Sequence, residues 1–132
     1  MIAEVLAAAR ARIDRHPPAD AAREDAVIVD LRCNDVRARD GVIAGSVHVP
    51  RSVLEWRCDP ASGYPNPAVA GKRVLLLCEE GYSSSLAAAS LRDLGFDAGD
   101  VVGGFDAWCE AGLPIVSAPP AGSGLPGMGG PA

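Results

Sequence analysis

The sequence contains no apolar run near the roughly 18 residues that a membrane-spanning helix requires, no run of basic residues and no CxxC pair. Each absence removes a class of function. Without the apolar run, a membrane role is not expected. A net charge of −5, with no cationic patch interleaved with aromatics, makes nucleic acid and anionic membrane surfaces poor partners. Only two histidines occur, His16 and His48, and neither is spaced with any of the four cysteines, Cys33, Cys58, Cys78 and Cys109. A zinc site is therefore not expected, and no residue set asks for another metal or an organic cofactor. The opening segment "MIAEVLAAARARIDRHPP" is a poor secretory leader: Glu4 interrupts its start, and its charges follow the short apolar patch. The default location is cytoplasmic, where the four cysteines are expected as thiols.

What the chain does contain is material for one core. At 132 residues, 48% hydrophobic and 22% charged, it fits a single globular domain. Ile2, Val5, Leu6 and Ala9 recur at helical spacing and predict a helix over 2–12. "RIDRH" reads as a short edge strand, and Pro18 suits the first turn of a small helix over 19–24. "AVIVDL" (26–31) and "RVLLLC" (73–78) are apolar runs without alternation, as expected of strands covered on both faces. "SVHVP" (46–50) is a short strand stopped by proline, and "SVLEW" a helical turn. "CDPASGYPNPAVAGK" must be a surface connection. Ser84 to Leu94 carries an apolar stripe and ends at Gly95, a helix with its C-terminal glycine. "AGDVVGG" is a last strand and "FDAWCEAG" a last helix. Strands alternating with helices predict an α/β fold, a small central parallel sheet with helices on both faces. The core spans about 13–114, and the Pro/Gly-rich segment 117–132 is expected to be disordered.

The informative stretch is "VLLLCEEGYSSSLAAASL", Val74 to Leu91. It puts Cys78 where a buried strand turns into a helix, at the carboxyl end of the sheet, where such folds hold their sites. A loop with Gly81 and serines can turn successive N–H groups inward, and the helix start adds further free N–H groups and a positive dipole end. A thiol at the floor of that cradle gains because its thiolate is the charge being stabilised. The plainer alternative is a cysteine acting as a small hydrophobe beside helix-capping serines. The coincidence of Cys78, Gly81 and the serine cluster at one strand–helix junction favours a nucleophile.

Four segments, in order, resemble the rhodanese-like single-domain sulfurtransferases. "VIVDLR" (27–32) is similar to the family's strand ending in Asp-x-Arg, and "GVIAGSVHVP" (41–50) to its Gly-His-Ile-x-Gly-Ala-x-x-Ile-Pro segment. "CEEGYSS" (78–84) is similar to its active loop Cys-x-x-Gly-x-Arg-Ser, and "GGFDAW" (103–108) to its Gly-Gly-x-x-x-Trp motif. The resemblance runs from about Ile13 to Pro114 and implies a rhodanese-like domain over 1–116. It implies Cys78 as nucleophile within the loop Glu79, Glu80, Gly81, Tyr82, Ser83 and Ser84, with Asp30 and Arg32 as a framework pair. It further implies a persulfide intermediate and ping-pong transfer from a small sulfur donor to a thiol or cyanide, with a sulfur-carrier protein as a further partner.

Two departures stand out. The second motif's histidine is Val42, and the loop arginine, which in the family helps to hold an anionic donor, is Ser83. Arg51, just past Pro50, is the favoured substitute cation, with Arg57 another and Trp56 as a wall of the site or a core residue. Glu79 and Glu80 stand at the mouth instead. At about 5 Å and an effective dielectric of about 20, each costs a dianion roughly 3 kcal/mol per unit charge, and solvent and salt reduce that severalfold. The sign disfavours thiosulfate against a low-molecular-weight or protein persulfide, unless both glutamates point to water. Cys58 is read as exposed enough to receive sulfur or as an incidental thiol, Cys109 as packed and His48 as structural. The alternatives to a sulfurtransferase are a catalytically weak or inactive binding or regulatory module and a cysteine phosphatase. The phosphatase would need an arginine at Ser84 to clamp its oxyanion.

Overall fold

The computed structural model describes residues 1–120. Most of the expected tail, from 121 onward, lies outside the described residues. Five parallel strands form one sheet in the order β1-β5-β4-β2-β3. They are β1 (Asp14–His16), β2 (Val27–Asp30), β3 (Val47–His48), β4 (Val74–Leu77) and β5 (Ala98–Val101). The helices are α1 (Ile2–Arg10), α2 (Pro18–Ala21), α3 (Asn34–Asp40), α4 (Leu54–Cys58), α5 (Ser83–Asp93) and α6 (Gly104–Glu110), with a 3-10 turn at Arg51–Val53.

The central strand explains the layers. Successive side chains of β4 point to opposite faces, so Val74 and Leu76 enter one core with Ala87, Ala88 and Leu91 of α5 and Leu54 of α4. Leu75 and Leu77 enter the other with Ala21 of α2 and Phe105 and Trp108 of α6. All four β4 side chains are buried, which is why that strand shows no polar alternation. Helix α1 packs outside α5, with Ala9 buried between them. Helix α5 ends as its sequence requires: Gly95 takes φ +90°, its N–H bonds the Arg92 carbonyl at 2.9 Å, and Phe96 N–H bonds Leu91 at 3.0 Å.

One helix was not expected. Segment α3 reads NDVRARD, with no apolar stripe, and its buried residue is a charged one, Arg37. What holds it is Asp30, the last residue of β2 and fully buried. Its carboxylate accepts Arg32 Nε and Nη2 at 3.1 and 2.9 Å, the Arg32 backbone N–H at 3.0 Å and Arg37 Nε at 3.1 Å. Arg32 Nη2 also reaches the Gly41 carbonyl at 2.8 Å. A tertiary ion cluster, and no local hydrophobic pattern, therefore fixes the turn after β2. Further on, Val42 and Val116 exchange backbone hydrogen bonds of 2.8 Å, which ties the segment after α6 to the domain.

Replacing Asp30 by alanine leaves two buried guanidiniums without their anion. We expect a loss of about 3–5 kcal/mol, read as a lower urea midpoint at unchanged slope. A loss below about 1 kcal/mol would mean the cluster is solvated.

Candidate active site

Cys78 follows β4 directly and is 7% exposed. Its Sγ accepts the N–H of Gly81 at 3.1 Å and of Ser84 at 3.4 Å. The loop reaches this shape because its carbonyls are taken from outside. Those of Cys78 and Glu79 accept Phe105 and Asp106 N–H of α6, at 2.8 and 3.0 Å. That of Gly81 accepts Arg10 Nη2 at 2.8 Å, Arg15 Nη2 at 3.3 Å and Ser85 Oγ at 3.3 Å. These contacts hold the loop in the shape in which the Gly81 and Ser84 N–H groups face the sulfur.

Glycines make the close approach to α6 feasible. Gly81 (φ +87°) and Gly104 (φ +63°) lie in the left-handed region. A Cβ on Gly81 would stand 2.7 Å from Gly103 N, and one on Gly104 would strike the Cys78 carbonyl oxygen. Gly81 and Gly104 together are thus what let the last helix dock on the loop.

Burial pushes the Cys78 thiol up, but the Ser84 and Ser83 hydroxyls and the Ser84 and Gly81 N–H groups outweigh it, and the net shift is downward. Ser84 has a single hydroxyl proton, and Asp100 competes with the sulfur for it. Ser84 Oγ lies 2.8 Å and Ser85 Oγ 2.7 Å from Asp100 Oδ2. Asp100, on β5, is fully buried and is neutralised by Arg15, Nε to Oδ1 at 2.8 Å and Nη2 to Oδ2 at 3.3 Å. At the other side of the loop, burial raises the Glu79 carboxyl, Arg32 opposes the rise, and Asp106 adds to it. Arg32 Nη1 stands 3.9 Å from Glu79 Oε2, is buried without a hydrogen-bond partner, and its guanidinium lies 3.7 Å from the centroid of the Phe105 ring.

Several expected residues are placed differently. Arg51 gives Nη1 to both Glu55 oxygens, at 2.8 and 2.9 Å, and Glu55 in turn accepts Ser90 Oγ at 2.6 Å. Arg57 Nη1 bonds the Tyr64 carbonyl at 2.8 Å. Trp56 is half exposed and lines a shallow cavity with Glu55, Asp59, Ser62 and Leu94. Leu94 caps the end of α5 opposite the loop, so Trp56 does not wall the thiol. Tyr82 is exposed, with Arg10 5.6 Å from its ring centroid. Cys58 is buried, not exposed, and its thiol is pushed up to about 12 by burial. Cys109 is exposed, not packed, because Trp108 takes the inward position. His48 is structural: its Nε2 lies 2.7 Å from the Arg32 carbonyl, and burial lowers its pKa. Among the described residues, no group of three or more His, Cys, Asp or Glu side chains gathers to hold a metal.

The cations that reach the loop, Arg10 and Arg15, were missed together with Asp100. Their contacts span sequence separations of 66 to 85 residues. The one local trace was an acidic residue inside the apolar segment "AGDVV".

Comparison with known proteins agrees with this geometry. Residues 17–111 match the family described as rhodanese-like domain, and the chain belongs to that family. A solved structure from Rhodopseudomonas palustris, a protein of unknown function and possible tyrosine phosphatase, is 36% identical. It covers 88% of this chain and 94% of its own, with a TM-score of 0.81. The polysulfide-sulfur transferase homodimer of Wolinella succinogenes is 27% identical over 90% of this chain and 89% of its own, with a TM-score of 0.66. A rhodanese-related protein from Thermoplasma volcanium is 27% identical over 81% and 99%, with a TM-score of 0.63. The comparison with curated proteins finds no match.

Two outcomes are expected. In a pH series of alkylation with peptide mapping, Cys78 should reach half-labelling below the free-thiol value of about 8.5, while Cys58 stays unlabelled in the folded protein. Half-labelling of Cys78 above that value would contradict the cradle. Gly104→Ala should separate α6 from the loop and slow Cys78 alkylation by about tenfold; an unchanged rate would show that the contact does not hold the loop.

Proposed function

We propose that this rhodanese-like domain is a sulfurtransferase in which Cys78 carries sulfur as a persulfide. The observation supporting it most directly is the thiol itself, buried beneath the Gly81 and Ser84 N–H groups and the Ser84 and Ser83 hydroxyls, which lower its pKa against its burial. The Cys78 thiolate attacks the outer sulfur of a donor R–S–SH. The Cys78 S–S bond forms as the donor's S–S bond breaks, and the donor leaves as R–S⁻. The outer sulfur's proton passes to water, leaving Cys78–S–S⁻ with its charge among the N–H groups. An acceptor thiolate or cyanide then attacks that outer sulfur and returns Cys78 as the thiolate. The chain's residues need only hold the anion, so the step requires no separate base.

The same reading favours a persulfide donor over thiosulfate. Carboxyl groups of Glu79, Glu80 and Asp106 belong to the segments around the cysteine, and Arg32, the cation beside Glu79, is already committed to Asp30. Arg10 and Arg15 touch the loop through the Gly81 carbonyl, on the side its acceptors face. A monoanionic or neutral donor meets less repulsion there than a dianion. Phosphatase chemistry fits poorly, because the residue that would clamp the oxyanion is Ser84, buried and bonded to Asp100.

Intact-protein mass spectrometry after incubation with cysteine persulfide or thiosulfate tests this. Wild type should gain one sulfur atom that cyanide removes, and Cys78→Ser should gain none. Loading by thiosulfate should be at least about tenfold slower; equal loading would refute the donor preference alone. No adduct from either donor on folded, reduced protein would refute the sulfurtransferase and leave a binding module.

A further inference from the structure

The loop lacks an arginine of its own, yet two arginines meet it from a segment that precedes the matched residues 17–111. Arg10 is the last residue of α1. It donates from Nη2 to the Gly81 carbonyl at 2.8 Å and from Nε to Ser85 Oγ at 3.1 Å, and its guanidinium lies 5.6 Å from the centroid of the Tyr82 ring. One guanidinium thus spans the loop's middle peptide and the first turn of α5. Arg15 of β1 also reaches the Gly81 carbonyl, but its principal partner is Asp100. Arg10, which pairs with no carboxylate among the described residues, is the cation given chiefly to the loop.

The peptide's geometry turns this contact into a consequence. In a planar trans peptide, the carbonyl and the following N–H point in opposite directions, and the described residues contain no cis bond. Two guanidiniums on the Gly81 carbonyl therefore direct the Tyr82 N–H away from themselves. We propose that Arg10 is a positioning residue for the Cys78 loop: it holds the Gly81–Tyr82 peptide, which lies between the two residues whose N–H groups bond Sγ, Gly81 and Ser84, with its carbonyl turned to α1, and so makes α1 part of the anion cradle. A donor fixed before the sulfur becomes charged spares the reorganisation that a mobile loop would require. The charged groups around that sulfur are Glu79 and Glu80 on the loop, Asp106 of α6, Arg32 after β2, and the Asp100–Arg15 pair behind it. Arg10 contacts neither buried aspartate directly and meets the Asp100 cluster only through Ser85 Oγ, so its replacement leaves Arg15, Ser84 and Ser85 in place on Asp100.

The assignment rests on the loop being a thiolate cradle, and not on sulfur transfer itself. It is tested by the pH profile of Cys78 alkylation, which needs no sulfur donor. Arg10→Ala should raise the half-labelling pH by about one unit, a roughly tenfold loss of thiolate at lower pH. Arg10→Lys, which retains the charge and one donor, should recover at least about half of that shift. Arg12→Ala is the control: Arg12 ties the same end of α1 to Asp93 of α5 at 3.4 Å and should leave the profile unchanged. If Arg10→Ala does not fold, Arg10→Gln carries the same test. A shift under about 0.2 units in the neutral variants, or an equal shift in Arg12→Ala, would overturn the proposal in favour of simple helix anchoring. Wild type that shows the shift with Arg10 variants yet never loads sulfur would refute the proposed function and leave this assignment standing.

Discussion

Two buried carboxylates set the terms for everything at the carboxyl end of this sheet. Asp30 of β2 and Asp100 of β5 lie on the strands either side of β4, paired in register with Leu77 and Leu76, just before Cys78. Both are fully buried. An uncompensated buried carboxylate costs several kcal/mol, and here each would also repel a thiolate. The chain resolves both difficulties by surrounding Asp30 with Arg32 and Arg37 and Asp100 with Arg15 and two serine hydroxyls. The clusters then act as fixed posts. One holds the turn and α3 after β2; the other holds the first turn of α5 and, through Arg15, the Gly81 carbonyl.

Between those posts the loop is shaped by where its backbone acceptors go. Helix α6 takes two carbonyls and the arginines of α1 and β1 take a third. A five-residue connection from strand to helix would otherwise satisfy its carbonyls with water and be free to turn its N–H groups outward. Glycines at 81 and 104 permit the near contact that makes this possible. The shape of the cradle is therefore set by three separate segments, and the hydrogen bonds it directs to the sulfur from Ser84, Ser83 and Gly81 lower the thiol pKa.

The distribution of charge about the sulfur then bears on what can approach it. Cations reach the loop through a carbonyl, and the carboxyl groups of Glu79, Glu80 and Asp106 are left on the neighbouring segments. An arginine within the loop would serve both to order the backbone and to attract an anionic substrate. Here position 83 is a serine, and Arg10 and Arg15 contact the loop backbone from other segments. A structure named for polysulfide-sulfur transfer and one named a possible tyrosine phosphatase share this fold, so the architecture alone does not fix the reaction.

Periodicity and local chemistry determined much of this from the chain alone. The uninterrupted apolar run before Cys78 located the central strand, because a strand covered on both faces has no polar side to display. Gly95 marked the end of α5, and the strand–loop–helix junction marked Cys78, because free N–H groups at a helix start are a local consequence of backbone geometry. Helix α3 was invisible, since its buried residue is an arginine whose burial makes sense only beside Asp30. Arg51, just past the strand-stopping Pro50, and its neighbours Trp56 and Arg57 read as facing the loop, but the fold gives Arg51 to Glu55, Arg57 to the Tyr64 carbonyl and Trp56 to the far end of α5. Arg10, Arg15 and Asp100 became neighbours of the loop only when β1 was laid beside β5 and α1 against α5. Contacts across 66 to 85 residues leave no period in the sequence. The physical reason is that ion pairs are satisfied by proximity in space, whereas strands and helices are written in the spacing of neighbours along the chain.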